Sequence, residues 1–249
     1  IQTFNILNNG VSPLSQDDRC QLNNVIVCYE RESKANTQKY LNFLNSRMTL
    51  HDFVNNECGI YTAFISYFKS IPEFHQLYIE DQITLIRCNL RLLMPLGYLE
   101  LNNFVEHPIP NDIMLPIHGK AFHTKMTNIN KKFVIFVYNS TVIKLVLIIL
   151  LFSTSLLTMD SMRLMNISIQ NIKQLYESQN FYTELLWKYM LHTYGEPESI
   201  MMFNLIISQC LNLQNLTIER DEQLRKKTEF STIVPLMQSV LQIPYQNFV

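Results

Sequence analysis

The sequence is poor in glycine and in charge, and each shortage narrows the classes of fold open to it. Only 5 of its 249 residues are glycine and 9 are proline, too few for a sandwich or barrel of many short strands. Charged residues make up 16% and hydrophobic residues 47%. A chain of this length and composition can bury a large core, so we predict one all-α domain over residues 1–249.

The chain also lacks a charge excess and a metal-binding cysteine pair. Its formal net charge is −1, so the totals do not predict a nucleic-acid face. The five cysteines, Cys20, Cys28, Cys58, Cys88 and Cys210, include no CxxC pair, which excludes a zinc ribbon or finger within these residues. Widely spaced, reduced thiols fit a nuclear or cytosolic protein best.

Motifs of catalysis and of phosphate binding are missing. GxSxG, HExxH, GxxxxGK and GxGxxG do not occur. His118 and His123 lie five residues apart and could ligate a metal, but two surface histidines in a loop are the simpler interpretation. We therefore expect neither an enzyme nor a metal or cofactor site.

No uninterrupted hydrophobic run in the sequence is long enough to span a membrane. Residues 133–152 look like one, yet the uninterrupted apolar run covers only Leu145–Phe152, whereas a spanning helix needs about 20 apolar residues. Asn139 and Lys144 interrupt the rest. We predict a helix buried on all sides and no membrane partner.

Apolar residues recur every three or four positions through most of the chain, which predicts long helices. The predicted helices are 14–33 with Ser15 as N-cap, 49–71 ended by Pro72, 79–105, 128–155, 168–194, 197–227 preceded by the terminator Gly195, and a short one at 234–243. Three prolines and a glycine make 107–123 irregular, with room for a short β-hairpin.

Residues 68–87, FKSIPEFHQLYIEDQITLIR, carry a cation at the end of one predicted helix and another in the next. If these helices pack side by side, Ile65 and Ile83 line a groove with Lys69 and Arg87 at its rim. Such a groove suits a short amphipathic helix, because a lysine can bind the carbonyl-rich C-terminal end of the guest. Cations that only decorate helix ends are the alternative.

This stretch resembles the signature of nuclear receptor ligand-binding domains, in particular those of the vitamin-D-receptor-like subfamily. The matching residues are Lys69, Ile71-Pro72, Phe74, Leu77, Asp81-Gln82 and Leu85-Ile86-Arg87, whereas Glu73 replaces the usual glycine. Residues 210–227 and 234–241 are similar to the family's tenth, eleventh and closing helices. The resemblance implies a three-layer antiparallel sandwich of about ten to twelve helices.

The resemblance implies a groove for an LxxLL coactivator helix, clamped by the two cations. The residues implied for it are Ile65, Lys69, Gln82, Ile83, Arg87, Leu236 and Ser239. Ser239 stands where the family has a glutamate, and charge-assisted hydrogen bonds are about twice as strong as neutral ones. We therefore expect weaker coactivator binding or a preference for corepressor peptides.

A mostly apolar cavity for a lipophilic small molecule is also implied by the resemblance. The residues that would line it are Phe53, Asn56, Ile60, Phe64, Arg91, Met94 and Tyr98. Gly97 and Arg220 stand where relatives hold sterol hydroxyls with an arginine and a histidine, which argues against vitamin D itself. A different sterol or lipid, or an interior filled by aromatic side chains, are both open.

The function implied is that of a ligand-regulated transcription factor in the nucleus, or also in the cytoplasm, with DNA binding left to a domain outside these residues. The alternative is a ligand-independent orphan domain that serves as a dimerisation or corepressor platform. Heptad-like apolar spacing in 202–216 predicts a two-helix seam or core. The resemblance favours a dimer, homodimeric or with a retinoid-X-receptor-like partner, through Phe203, Ile206, Cys210 and Leu213.

Overall fold

The computed structural model describes residues 13–34, 50–101, 111–136, 138–153, 169–225, 235 and 237. The helices are α1 (Gln16–Cys28) with a π-helical continuation (Tyr29–Lys34), α2 (Leu50–Lys69), α3 (Pro72–His75), α4 (Ile79–Leu101), α5 (Asn111–Phe133) with a 3-10 turn (Val134–Phe136), α6 (Thr141–Leu151), α7 (Ile172–Tyr194) and α8 (Glu196–Arg225). No strand occurs among these described residues. The all-α prediction is confirmed, while the sandwich and the number of helices stay predictions.

Local signals set several helix ends where the sequence predicts them. Ser15 caps α1 through a reciprocal capping box, in which Ser15 Oγ accepts from the Asp18 N–H and the Asp18 carboxylate accepts from the Ser15 N–H. The helix α2 ends at Lys69, shortly before Pro72, as predicted, while Pro72 itself opens the short α3, which the sequence did not predict. Gly195, with φ 80°, separates α7 from α8 in a backbone conformation that side chains disfavour.

Two stretches differ from the prediction. Residues 128–155 are not one helix, because α5 ends at Phe133 and α6 begins only at Thr141. The intervening turn is held by Asn139, whose side-chain oxygen accepts a hydrogen bond of 2.5 Å from the Tyr189 hydroxyl of α7. Residues 111–123 are helical on both sides of Gly119 (φ 75°, ψ 164°), so no hairpin forms there. Residues 107–110 lie outside the described part of the chain.

The helix α6 lies at the centre of the described structure. Its side chains from Val142 to Leu151 are buried apart from the half-buried Ile149, and it contacts α1, α4 and α7. The long α8 packs on α4, α5 and α7. The apolar run is thus surrounded by other helices, and no helix in the described ranges is long and apolar enough to cross a membrane.

Candidate helix-docking surface

Cations and exposed isoleucines share the two helices α2 and α4, which contact each other. Lys69, in the last turn of α2, and Arg87, on α4, are exposed. Ile79 and Ile83, on the same face of α4 as Arg87, are 57% and 51% exposed. Ile65, one turn before Lys69, is half-buried against the core. These five residues form what we call the α2–α4 surface.

Gln82 supports this surface from beneath. Its side chain is buried, and Nε2 donates to the carbonyl oxygens of His75 at 3.2 Å and Leu77 at 2.9 Å. The two bonds hold the turn between α3 and α4 against the first turn of α4. The predicted contact of Gln82 with a guest helix stays a prediction, and in the structure its side chain holds the turn that precedes Ile79 and Ile83.

Asp81 anchors the start of α4 to the start of α7. It is fully buried, and its carboxylate accepts from the backbone N–H of Gln170 at 2.8 Å and of Asn171 at 3.2 Å. Asn171 is the N-cap of α7, where its own side chain accepts from Gln174 N–H. A carboxylate at this end satisfies buried donors and complements the helix dipole.

Glu73, which stands where the resembled signature has a glycine, makes a third contact between these helices. Tyr182 of α7 donates a hydrogen bond of 2.5 Å from its hydroxyl to Glu73 Oε2. Burial, reinforced by that bond and by the Glu73 charge, raises the pKa of Tyr182 far above its ordinary value. The hydroxyl therefore stays a donor at physiological pH, and α3 is tied to α7.

The predicted pocket residues with described side chains lie in the packed core. Ile60, Phe64 and Met94 are each 1% exposed or less. The side chains of Phe53, Asn56, Arg91 and Tyr98 lie outside the described part of the structure. Three of the seven are thus brought together in the interior, and their role as ligand contacts stays a prediction.

Aromatic rings fill the interior around Phe64. Its ring lies so close to Gly97 that a Cβ there would be 2.1 Å from Phe64 Cζ. Ring centroids lie 6.3 Å apart for Phe64 and Tyr29, 6.2 Å for Phe64 and Phe68, and 5.1 Å for Tyr29 and Tyr67. Gly97 is therefore the residue that lets α2 and α4 approach at this level.

A buried ion pair that the sequence did not predict joins α4 to α6. Lys144 Nζ lies 3.0 Å from Glu100 Oε1, with only 4% and 1% of the two side chains exposed. Lys144 also donates to Ser140 Oγ at 2.8 Å and lies 5.0 Å from the centroid of the Tyr29 ring. Burial and the Glu100 charge raise the pKa of Tyr29 well above its ordinary value. The sequence feature that could have predicted this ion pair is the single lysine inside an apolar run, because a buried charge requires a partner.

The residues predicted for a dimer face lie mostly inside the chain's own core. Ile206, Cys210 and Leu213 are buried where α8 packs on its neighbours. Phe203 is half-buried, with its ring 5.8 Å from that of Trp187. The heptad-like spacing predicted either a two-helix seam or a part of the core, and the burial of this face of α8 within the chain fits the second interpretation.

The other predicted sites are only partly within the described residues. Leu236 and Ser239 lie outside them, while Met237 is helical and fully buried in the core. The side chain of His118 is likewise outside, and His123 is half-buried on α5. Among the described residues no group of three or more His, Cys, Asp or Glu is placed to hold a metal ion.

No protein-family model and no curated protein matches this chain. Membership in the nuclear receptor family therefore stays a prediction that rests on the resemblance of residues 68–87, 210–227 and 234–241.

Proposed function

We propose that this chain is the ligand-binding and coactivator-docking domain of a transcription regulator of the nuclear receptor kind. The α2–α4 surface is the part of it that receives an amphipathic helix. The observation that carries the proposal is the exposure of Ile79 and Ile83 on helices that also carry the exposed cations Lys69 and Arg87. Large apolar side chains on a solvent-facing helix surface commonly mark an interaction site when they are grouped.

The chemistry of the α2–α4 surface supports a helical guest. Ile79 and Ile83 lie one turn apart, a spacing that suits leucines repeated every three or four residues on the guest. Lys69 ends α2 and can donate to the carbonyl groups left unpaired at the guest's C-terminus. The two cations also favour a guest with flanking acidic residues.

The α2–α4 surface is held in place before any partner binds, and this preorganisation is the second observation that supports the proposal. Gln82 holds the turn before α4, and Asp81 anchors the start of α4 to α7. A surface held in place by buried hydrogen bonds loses little conformational entropy when a partner binds, so more of the contact energy appears as affinity.

The interior favours a second candidate, a ligand-independent domain with the same docking surface. The ring of Phe64 occupies the space over Gly97 and packs in a cluster of aromatic side chains. An interior filled by the protein's own side chains needs no lipid to complete its packing. Organic extraction of the purified protein separates the two candidates, since a stoichiometric lipid supports the ligand-regulated domain and its absence the ligand-independent one.

Peptide binding tests the docking surface that both candidates share. We expect a fluorescent LxxLL peptide to bind the chain, and Lys69→Ala and Ile83→Ala each to lower the affinity at least ~10-fold, about 1.4 kcal/mol. Lys131→Ala, which removes an exposed lysine from α5, serves as the charge control and should bind as wild type does. Unchanged affinity in both surface variants would contradict the proposal, as would failure of the wild-type chain to bind either LxxLL or corepressor-type helices.

A further inference from the structure

A polar cleft of about 340 Å³ lies between α5 and α8. Its lining comes from residues 125–132 of α5 and 209–219 of α8, and we call it the α5–α8 cleft. Tyr189, near the end of α7, bonds to Asn139, which follows α5. The C-terminal end of α5 therefore lies near the start of α8, and the two helices run antiparallel. The volume falls in the range of clefts that bind small molecules.

Two lysines of α5 stand at the two ends of the cleft. Lys132 follows Lys125 by seven positions, close to two helical turns, so both lie on one face of α5, about 10 Å apart along its axis. Lys125 Nζ pairs with Glu219 Oε2 of the opposite wall at 2.6 Å. Lys132 is exposed and makes no ion pair with a described residue. Its charge is therefore available to an anion in the cleft.

Amide side chains supply the other polar groups of both walls. Asn128 lines the cleft from α5, and Asn212 and Asn215 line it from α8. The side chains of Asn128 and Asn215 bond to no other described residue. Each amide offers two donors and two acceptor sites. The walls can therefore bond from two sides to a ligand whose groups both donate and accept.

Gln209 is a buried polar residue in the lining, next to the buried side chains of Ile129 and Leu216. It is 1% exposed, yet both of its hydrogen bonds are long. Nε2 donates to Ser208 Oγ at 3.4 Å, and Oε1 accepts from Asn212 Nδ2 at 3.3 Å, whereas such bonds are usually about 2.9 Å. Buried polar side chains are normally well bonded, so Gln209 can take a stronger partner inside the cleft.

We propose that the α5–α8 cleft binds a phosphorylated polyhydroxy compound of the size of a sugar monophosphate. Lys132 holds the phosphate, because a lysine binds phosphate as a compact point charge, whereas planar carboxylates are matched best by the fork of an arginine. The two lysines and Glu219 together carry a charge of +1. A single phosphate, with about −1.5 to −2 charges at neutral pH, suits that balance better than several.

The amides determine what the rest of the ligand is. Hydroxyl groups donate and accept, as amides do, so a polyhydroxy body can use both walls. Among the described residues that line the cleft none is aromatic, so a nucleobase would find no ring on which to stack. Ile129 and Leu216 offer apolar contact to the C–H groups of a sugar ring. The cleft is separate from the α2–α4 surface, and the proposal stands apart from the proposed function.

Isothermal titration calorimetry of the 249-residue chain with glucose 6-phosphate tests the site. We expect a dissociation constant on the order of 1 mM, as befits a small ligand held by a few polar contacts. Glucose and inorganic phosphate, the two halves of this probe, should each bind at least ~10-fold more weakly. Lys132→Ala should weaken binding of glucose 6-phosphate at least ~10-fold. Lys131→Ala removes the neighbouring exposed lysine, which does not line the cleft, and should bind as wild type does.

Nuclear magnetic resonance of the isotope-labelled chain locates the ligand. The side-chain amide signals of Gln209 and Asn212 should shift during titration with glucose 6-phosphate, and Asn212→Ala should bind it more weakly. Equal affinity of Lys132→Ala and Lys131→Ala, or amide signals that stay in place, would overturn the site. Inorganic phosphate that binds as tightly as glucose 6-phosphate would overturn the polyhydroxy class. A wild-type chain that binds neither glucose 6-phosphate nor glycerol 1-phosphate at about 10 mM would overturn the proposal as a whole.

Discussion

At the scale of single residues, the buried charge of Lys144 requires an oppositely charged partner within the core. It brings a charge into a helix that is otherwise buried and mostly apolar, and Glu100 neutralises it at 3.0 Å. Glu30, whose side chain is 45% exposed, lies farther away at 3.6 Å. Removing one partner of a buried pair usually destabilises a protein strongly, whereas replacing both by apolar residues costs little. The pair is therefore a determinant of packing between α4 and α6.

Glu100→Gln should lower the free energy of unfolding by about 3 kcal/mol, because Lys144 would keep its charge without its closest partner. The double variant Glu100→Leu with Lys144→Met should be more stable than Glu100→Gln alone. Urea denaturation monitored by circular dichroism measures both. Lys173→Met, which removes one member of an exposed pair with Glu177, should change stability by no more than about 0.5 kcal/mol. A double variant no more stable than Glu100→Gln would contradict this account of the pair.

At the scale of elements, the start of α7 depends on a residue of α4. Asn171 caps α7 from within the same segment, and Asp81 accepts the N–H groups of Gln170 and Asn171 from across the fold. The anchor joins two helices that are far apart in sequence, so it acts on tertiary structure more than on helix propensity. The position of Ile79 and Ile83 is coupled to it, because Asp81 lies between them on α4.

Asp81→Ala should lower the free energy of unfolding by about 2 kcal/mol through the loss of two hydrogen bonds to a charged acceptor. The neighbouring Glu80→Ala is the matched control, since Glu80 is exposed, and should change stability by less than about 0.5 kcal/mol. Hydrogen exchange gives the local readout, in which the amides of Gln170 and Asn171 should lose protection. Unchanged protection at these two amides in Asp81→Ala would contradict the anchoring role.

At the scale of the whole molecule, the packing of α8 on its neighbours shields the thiol of Cys210 from solvent. Cys210 is buried in the core and Cys20 is exposed on α1. Burial raises the pKa of the Cys210 thiol to about 12 from its ordinary value of 9.0. Between these two values the unfolded chain loses the proton and the folded chain keeps it, so this contribution to stability is present below pH 9.0 and is lost progressively as the pH rises toward 12.

Iodoacetamide at pH 8 should therefore alkylate Cys20 in the folded chain, while Cys210 should react only when the domain opens, since both access and thiolate are lacking. Mass spectrometry of tryptic peptides over time gives the two rates. Urea near the unfolding midpoint should bring the rate of Cys210 toward that of Cys20. Equal rates in the absence of urea would mean that α8 does not protect Cys210.

Predictions from the sequence succeeded where short-range chemistry decides. The N-cap at Ser15, the end of α2 shortly before Pro72 and the break at Gly195 follow from hydrogen bonds and dihedral preferences within a few residues. The prediction failed for 128–155, where the turn before α6 is held by the bond from Tyr189 to Asn139. That contact joins residues fifty positions apart, so no local sequence pattern predicts it.

For the α2–α4 surface, too, the sequence predicted the positions of residues along each helix but not the contacts between helices. Lys69, Ile83 and Arg87 were expected at a groove on the condition that the two helices pack side by side, an expectation that the resemblance strengthened, and all three are exposed. The burial of Gln82 and the pairing of Asp81 with α7 depend on how the helices pack. Both residues belong to the resembled signature, but the resemblance alone did not separate side chains that support the surface from those that form it.

The sequence by itself determined an all-α chain, because apolar periodicity and helix caps act within a few residues of each position. Only the tertiary structure decided which side of α8 faces inward. Neighbouring residues such as Ile206 and Ile207 are both apolar and differ by about 100° around the helix, and no charge from Ser199 to Ile218 marks a solvent side. The packing against α4, α5 and α7 buries Ile206 and leaves Ile207 exposed.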